Sequence, residues 1–179
     1  MSIIGENLAK AFLDDPHNVD LSKATEITDE AAESLSKHKG KLWLEGLSKL
    51  SDAAAEALSR LQGGLDLNGL TELSDAAAEA LSKHQGHLRL NGLTELSDAA
   101  AESLSKHFSH LYLNGLTELS DAAAESLSKY RGYLFLEAQA LVLIAIKKME
   151  KGQLEENQKK ALLRGAREVL KEECEDEEP

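Results

Sequence analysis

Aromatic side chains are scarce in this chain. Trp, Tyr and Phe supply 4% of its 179 residues, so a core must be built from Leu and Ala. Basic charge is short as well: 20 Lys and Arg stand against 32 Asp and Glu, a formal net charge of −12. That balance argues against a nucleic-acid partner, whose phosphates are neutralised by Lys and Arg, and against an anionic membrane surface. Cysteine is reduced to Cys174, which excludes an intramolecular disulfide and removes any need for an oxidising compartment. No apolar run approaches the length of a bilayer span; the longest, Ala140 to Ile146, is far too short. The first residues, Met1-Ser2-Ile3-Ile4-Gly5-Glu6, lack the basic segment and apolar stretch of a secretory signal. A soluble, cytoplasmic protein is expected.

What is present is repetition. Aligned on a Leu-x-Leu triplet, units begin at Val19, Leu42, Leu65, Leu88 and Leu111, 23 residues apart, with a sixth triplet at Leu134. The third and fourth units, LDLNGLTELSDAAAEALSKHQGH and LRLNGLTELSDAAAESLSKHFSH, differ at four places, which marks recent duplication or design. Within the third unit, Leu65-Asp66-Leu67 alternates with period two, as in a short strand with one buried face. Asn68-Gly69 follows as a turn in which both residues tolerate positive φ. Ser74 is a natural N-cap, and Asp75 suits the positive end of the helix dipole. The spacing predicts a helix from Ala76 to about His84, with Leu73, Ala77 and Leu81 on one buried stripe. Outside, Glu79 and Lys83 form an i, i+4 pair that recurs as Glu33/Lys37, Glu56/Arg60, Glu102/Lys106 and Glu125/Lys129. Gly86 stands where a left-handed C-cap would end the helix.

So small a unit cannot bury its own leucines, and neighbours must stack. Parallel strands sit about 4.8 Å apart, whereas packed helices need about 8–10 Å. The expected fold is therefore α/β: a right-handed β-α solenoid with a concave parallel sheet, convex helices and helical caps. The 23-residue spacing and the Leu-x-Leu strand resemble the leucine-rich repeat family, in a short bacterial-type form with an Ala-rich helix, over residues 19–136. Where that family usually carries a Leu three positions before Leu-x-Leu, this chain has Lys39, Gln62, Gln85, Phe108 or Arg131; Gly-Leu stands near the expected loop Asn. The resemblance implies a horseshoe and protein recognition on the concave face, without catalysis.

Residues 1–18 are expected to form an N-terminal helical cap, with Ile4, Leu8 and Phe12 on one face, Ser2 as cap and Pro16 as stop. Residues 19–136 hold five repeats and a final strand. Residues 137–171 are read as a helical hairpin sealing the last unit, and 172–179, EECEDEEP, as a disordered acidic tail.

Function is sought where the repeats disagree. The residue between the strand leucines points away from the core and reads Asp20, Trp43, Asp66, Arg89, Tyr112, Phe135; the residue before the first leucine reads Asn18, Lys41, Gly64, His87, His110, Tyr133. Four of the seven aromatics thus share one solvent-side face, and Trp, Tyr and Arg are the residue types that anchor protein interfaces. Trp43, Asp66, Arg89, Tyr112, His87, His110, Tyr133 and Phe135 are the candidate partner-binding residues. Cross-strand stabilisation of the sheet is the structural alternative, with Asp66–Arg89 as a surface ion pair.

Histidine is the second signal, because His84 and His87 recur as His107 and His110. Stacking would set His87 beside His110, within reach of one metal ion, yet His84 and His107 suit helix C-termini without any ligand role. No metal and no cofactor is expected. Asn68, Asn91 and Asn114 form a column suited to a hydrogen-bonded ladder, and the Ser74/Asp75 column caps helices without a base beside it. No phosphate loop or Cys/His zinc spacing occurs. The chain reads as a protein-binding module and not an enzyme, a monomer or weak homodimer whose partner is an unidentified protein. The alternative is a structural or engineered scaffold without a specific ligand.

Overall fold

A computed structural model describes residues 2–137. Short strands and helices alternate: β1 (Ile3–Ile4), α1 (Glu6–Asp14), β2 (Glu26–Ile27), α2 (Asp29–Leu35), β3 (Leu42–Trp43), α3 (Asp52–Leu58), β4 (Leu65–Asp66), α4 (Asp75–Ser82), β5 (Leu88–Arg89), α5 (Asp98–Leu104), β6 (His110–Leu113), α6 (Asp121–Ser128) and β7 (Tyr133–Leu136). The class is α/β. Strands β3 to β7 form one parallel sheet in sequence order, while β1 and β2 pair separately. Leu42 pairs with Leu65, Leu65 with Leu88, Leu88 with Leu111 and Leu111 with Leu134. The 23-residue period of the sequence is thus the register of the sheet. Each parallel step requires a crossover, which the intervening helix supplies, and consecutive helices pack against one another from α1 to α6.

Polar side chains start and bind these short helices. Thr28, Ser51, Ser74, Ser97 and Ser120 each accept a hydrogen bond from the amide three residues on, as an N-cap does. The serine hydroxyls of the last four also donate to Asp29, Asp52, Asp75 and Asp98 of the preceding unit. One oxygen therefore caps its own helix and ties it to its neighbour. At the other end, Ser82 Oγ donates to the Glu79 carbonyl at 2.7 Å, a bond repeated in every unit.

The core is Leu and Ala. Leu65, Leu67, Leu70, Ala77, Ala78 and Leu81 are fully buried, and so are their counterparts in adjoining units. Leu73 is only partly buried against this core. The expected Asn ladder is present: Asn68 Oδ1 accepts from the Asn91 amide and Asn91 Oδ1 from the Asn114 amide, both at 3.0 Å.

Several expectations are corrected. The helix of the third unit ends at Ser82, and Gly86 lies beyond it as a close-approach glycine: a Cβ there would sit 1.9 Å from the Gly63 carbonyl oxygen. Gly69 likewise faces the Glu45 carbonyl, at 2.3 Å, and neither glycine has positive φ. Val19–Leu21 forms no strand, because the Asp20 carboxylate takes the Ser22 amide and hydroxyl in a local turn. Ile4 lies on β1 rather than on a helix, and Gly5, not Ser2, occupies the N-cap. Ile4 pairs with Ile27, 23 positions on, and the Ser2 carbonyl accepts from the Thr25 amide at 2.8 Å. The N-terminal cap is therefore the helical half of another unit. Arg60 pairs with Glu33 of the preceding unit instead of Glu56, whereas the pairs at Glu79, Glu102 and Glu125 form as expected. The expected C-terminal hairpin, the acidic tail and Cys174 lie outside the described residues. No helix among the described residues is long and apolar enough to cross a membrane.

Candidate functional site

Sheet register places the variable strand residues in two parallel rows. Between the leucines run Trp43, Asp66, Arg89, Tyr112 and Phe135, each paired with the next. Ahead of the leucines run Lys41, Gly64, His87, His110 and Tyr133. In the first row Tyr112 and Phe135 stack at 4.3 Å with their rings 4° from parallel, and the Arg89 guanidinium lies 5.0 Å from the Tyr112 ring. In the second row His87 meets His110 at 4.2 Å, and His110 stacks on Tyr133 at 4.6 Å. At the far end Lys41 Nζ sits 3.1 Å from the Trp43 ring centre, a close cation–π contact. Trp43, Tyr133 and Phe135 are exposed.

Asp66 departs from expectation. It was expected to point to solvent, yet it is 1% exposed. The strands on either side carry larger side chains, and Arg89 reaches over it, Nη1 to Oδ2 at 3.6 Å. Oδ1 accepts only a long bond, 3.3 Å, from the Asn68 amide, and Oδ2 has no hydrogen bond among the described residues. The pair is therefore not a surface ion pair, since one partner is buried. Lys41, which the sequence did not mark as a site residue, belongs to the same cluster. Burial, followed by the Arg89 charge, holds its amine below the ordinary range. Burial and then His110, Arg89 and Lys41 hold the His87 imidazole down as well. Lys41, His87, Arg89 and Tyr112 surround a small cleft floored by Gly64 and Leu65.

The other two histidines serve the core. His84 and His107 lie beyond their helices and are essentially buried, with rings parallel at 6.4 Å. Burial pushes both imidazoles below their ordinary range, which works against the cationic form that a helix C-terminus would favour. Their column reads His38, Leu61, His84, His107, Tyr130 at 23-residue steps, and the Leu and Tyr in it were the sequence signal of an interior position. His84 Nε2 and both ring nitrogens of His107 lack a hydrogen bond among the described residues. Tyr130 closes the column, its hydroxyl donating to the Ser109 carbonyl at 2.8 Å.

Among the described residues, no group of three or more His, Cys, Asp or Glu is placed to hold a metal ion. The Ser74 hydroxyl is engaged as a cap between the Ala77 amide and Asp52. What the strand face offers is a row of rings and cations held at the spacing of a sheet. It belongs to an α/β protein of repeated strand–helix units. Comparison with family models, curated proteins and solved structures gave no match to this chain.

Proposed function

We propose that the chain is a binding protein rather than an enzyme, a leucine-rich-repeat-like solenoid whose strand face, on its concave side, docks a partner protein. The reading rests on one observation: the two strand rows carry Trp43, Arg89, Tyr112, Tyr133 and Phe135, while adjoining unit sequences are nearly identical. Aromatic and Arg side chains supply most binding energy in protein interfaces. Here Tyr112 is already stacked, which lowers the entropy lost on binding. Neither nucleic acid nor membrane is the expected partner, and a cytoplasmic setting fits the single cysteine.

The test is affinity capture with the wild type and with Trp43→Ala/Arg89→Ala/Tyr112→Ala, both shown to be folded by circular dichroism. Loss of the recovered proteins in the variant supports the reading. Recovery of the same set by both removes the strand face from the account. The near-identity of the third and fourth units favours a second reading, a structural or engineered scaffold without a specific ligand. On that reading neither protein captures anything above background.

A further inference from the structure

Gly64 is unlike its neighbours in the chain. Gly63, Gly69 and Gly86 each face a backbone carbonyl so closely that a Cβ would lie within 2.3 Å of its oxygen. At Gly64 the nearest atoms to a Cβ are Lys41 Cγ at 3.4 Å and Lys41 Cδ at 3.6 Å, ordinary contact distances, and φ is not positive. Nothing in the backbone requires glycine there. Its effect is to leave one position empty in a row that otherwise carries Lys41, His87, His110 and Tyr133. The gap is one strand wide, and Lys41, His87, Arg89 and Tyr112 frame it.

The frame is cationic in a chain of net charge −12. Among the described residues, Lys41 and Arg89 donate no hydrogen bond to a carboxylate; the 3.6 Å approach of Arg89 to Asp66 is too long for one. Two cations thus stand at the notch without a hydrogen-bonded carboxylate, the nearby acids being the buried Asp66 and, beside Lys41, Glu45. We infer that the notch over Gly64 receives one acidic side chain of the partner protein, an Asp or Glu flanked by apolar residues in an extended segment crossing the strands. This rests on the strand face being the docking surface. A carboxylate in the notch accepts from two cations that donate to none of the chain's own, and charge-assisted bonds from a guanidinium and an ammonium are the strong kind.

Spacing defines the segment. Trp43 lies one strand over and two residues along from Gly64, about 8 Å, and Tyr112 two strands over on the other side and two residues along, about 12 Å. An extended chain advances about 3.4 Å per residue and alternates its faces, so apolar residues two before and four after the acid lie on its side and reach both rings. The probe is the blocked peptide Gly-Leu-Ser-Glu-Ser-Ser-Ser-Leu-Gly, compared with the same peptide carrying Gln for Glu. Isothermal titration calorimetry reports binding, so that a variant without Trp43, the one tryptophan of the chain, is measured in the same way. The wild type is expected to bind the Glu peptide about tenfold more tightly than the Gln peptide. Arg89→Gln should bring the two within about twofold. Gly64→Leu, which fills the notch and leaves every charge in place, should abolish the preference too. Both variants are checked for folding by circular dichroism. Equal binding of the two peptides by the wild type, binding of neither, or a preference that survives Gly64→Leu overturns the notch. Equal binding that Trp43→Ala removes would overturn the notch alone, because the docking surface itself stands or falls on the capture experiment.

Discussion

At the scale of single residues, the most demanding group is the Asp66 carboxylate. A buried charge is costly unless paired, and the cation nearest to it among the described residues, Arg89, has 36% of its side chain exposed. Removing one member of a fully buried pair costs about 3–5 kcal/mol; the exposure of Arg89 reduces this, so Arg89→Ala should cost about 1–2 kcal/mol in urea unfolding. In an Asp66→Asn background the same change should cost well under half of that. A loss as large in both backgrounds would mean that Arg89 acts through packing and not through charge. The outward strand position had marked both residues as solvent-facing. Alternation of two does identify the face, but it cannot show that larger residues on neighbouring strands close over the one small carboxylate among them.

The buried histidines give a second residue-scale prediction. Burial holds His84 and His107 below their ordinary range, so the unfolded chain binds protons more readily than the folded one. Stability is therefore complete above the unfolded value of about 6.5 and is lost as pH falls below it toward the folded-state values. Urea unfolding at about pH 7.5 and about pH 5.5 should show the loss. The variant His84→Leu/His107→Leu should flatten that slope, since the other titrating groups remain. Leu61 already fills the same column one unit earlier. An unchanged pH slope would show that these rings are not the source.

At the scale of the element, a unit is joined to its neighbour by backbone proximity as much as by leucine packing. A Cβ at Gly92 would lie 2.1 Å from the Asn68 carbonyl oxygen and 2.6 Å from that of Leu70. Gly92→Ala should thus cost about 3 kcal/mol or more by forcing two units apart, whereas Gly64→Ala should stay within about 0.5 kcal/mol. Thermal melts of the two variants decide it, and equal melting temperatures would contradict the close-approach reading. The strands, the serine caps, the Asn ladder and the unit boundaries were legible in the sequence because each repeats at a fixed offset. The purpose of the glycines was not, since Gly serves positive φ and close approach alike. A clue lay in the first unit, which has Lys23, with its side chain exposed, where Gly46, Gly69, Gly92 and Gly115 follow. The pairing of β1 with β2 was hidden for another reason. The N-terminal cap keeps the 23-residue offset of Ile4 to Ile27 but lacks the Leu-x-Leu triplet on which the units are aligned.

At the scale of the whole molecule, the central claim is that one period governs everything: sheet register, helix packing, the capping links and the strand-face rows. Each unit then contacts only the units on either side, and stability is close to a sum of unit and interface terms. Removing residues 65–87 should join Gly64 to Leu88 in register and rebuild the sheet with one strand fewer. Removing only residues 65–84 breaks the period, setting the next strand out of register with its leucines facing the wrong way. Circular dichroism with thermal unfolding of these two deletions is the most direct measurement. The 65–87 deletion is expected to remain helical and to melt cooperatively at a lower temperature than the full chain, while the 65–84 deletion loses cooperative unfolding. An unfolded 65–87 deletion, or two deletions of equal stability, would contradict the account.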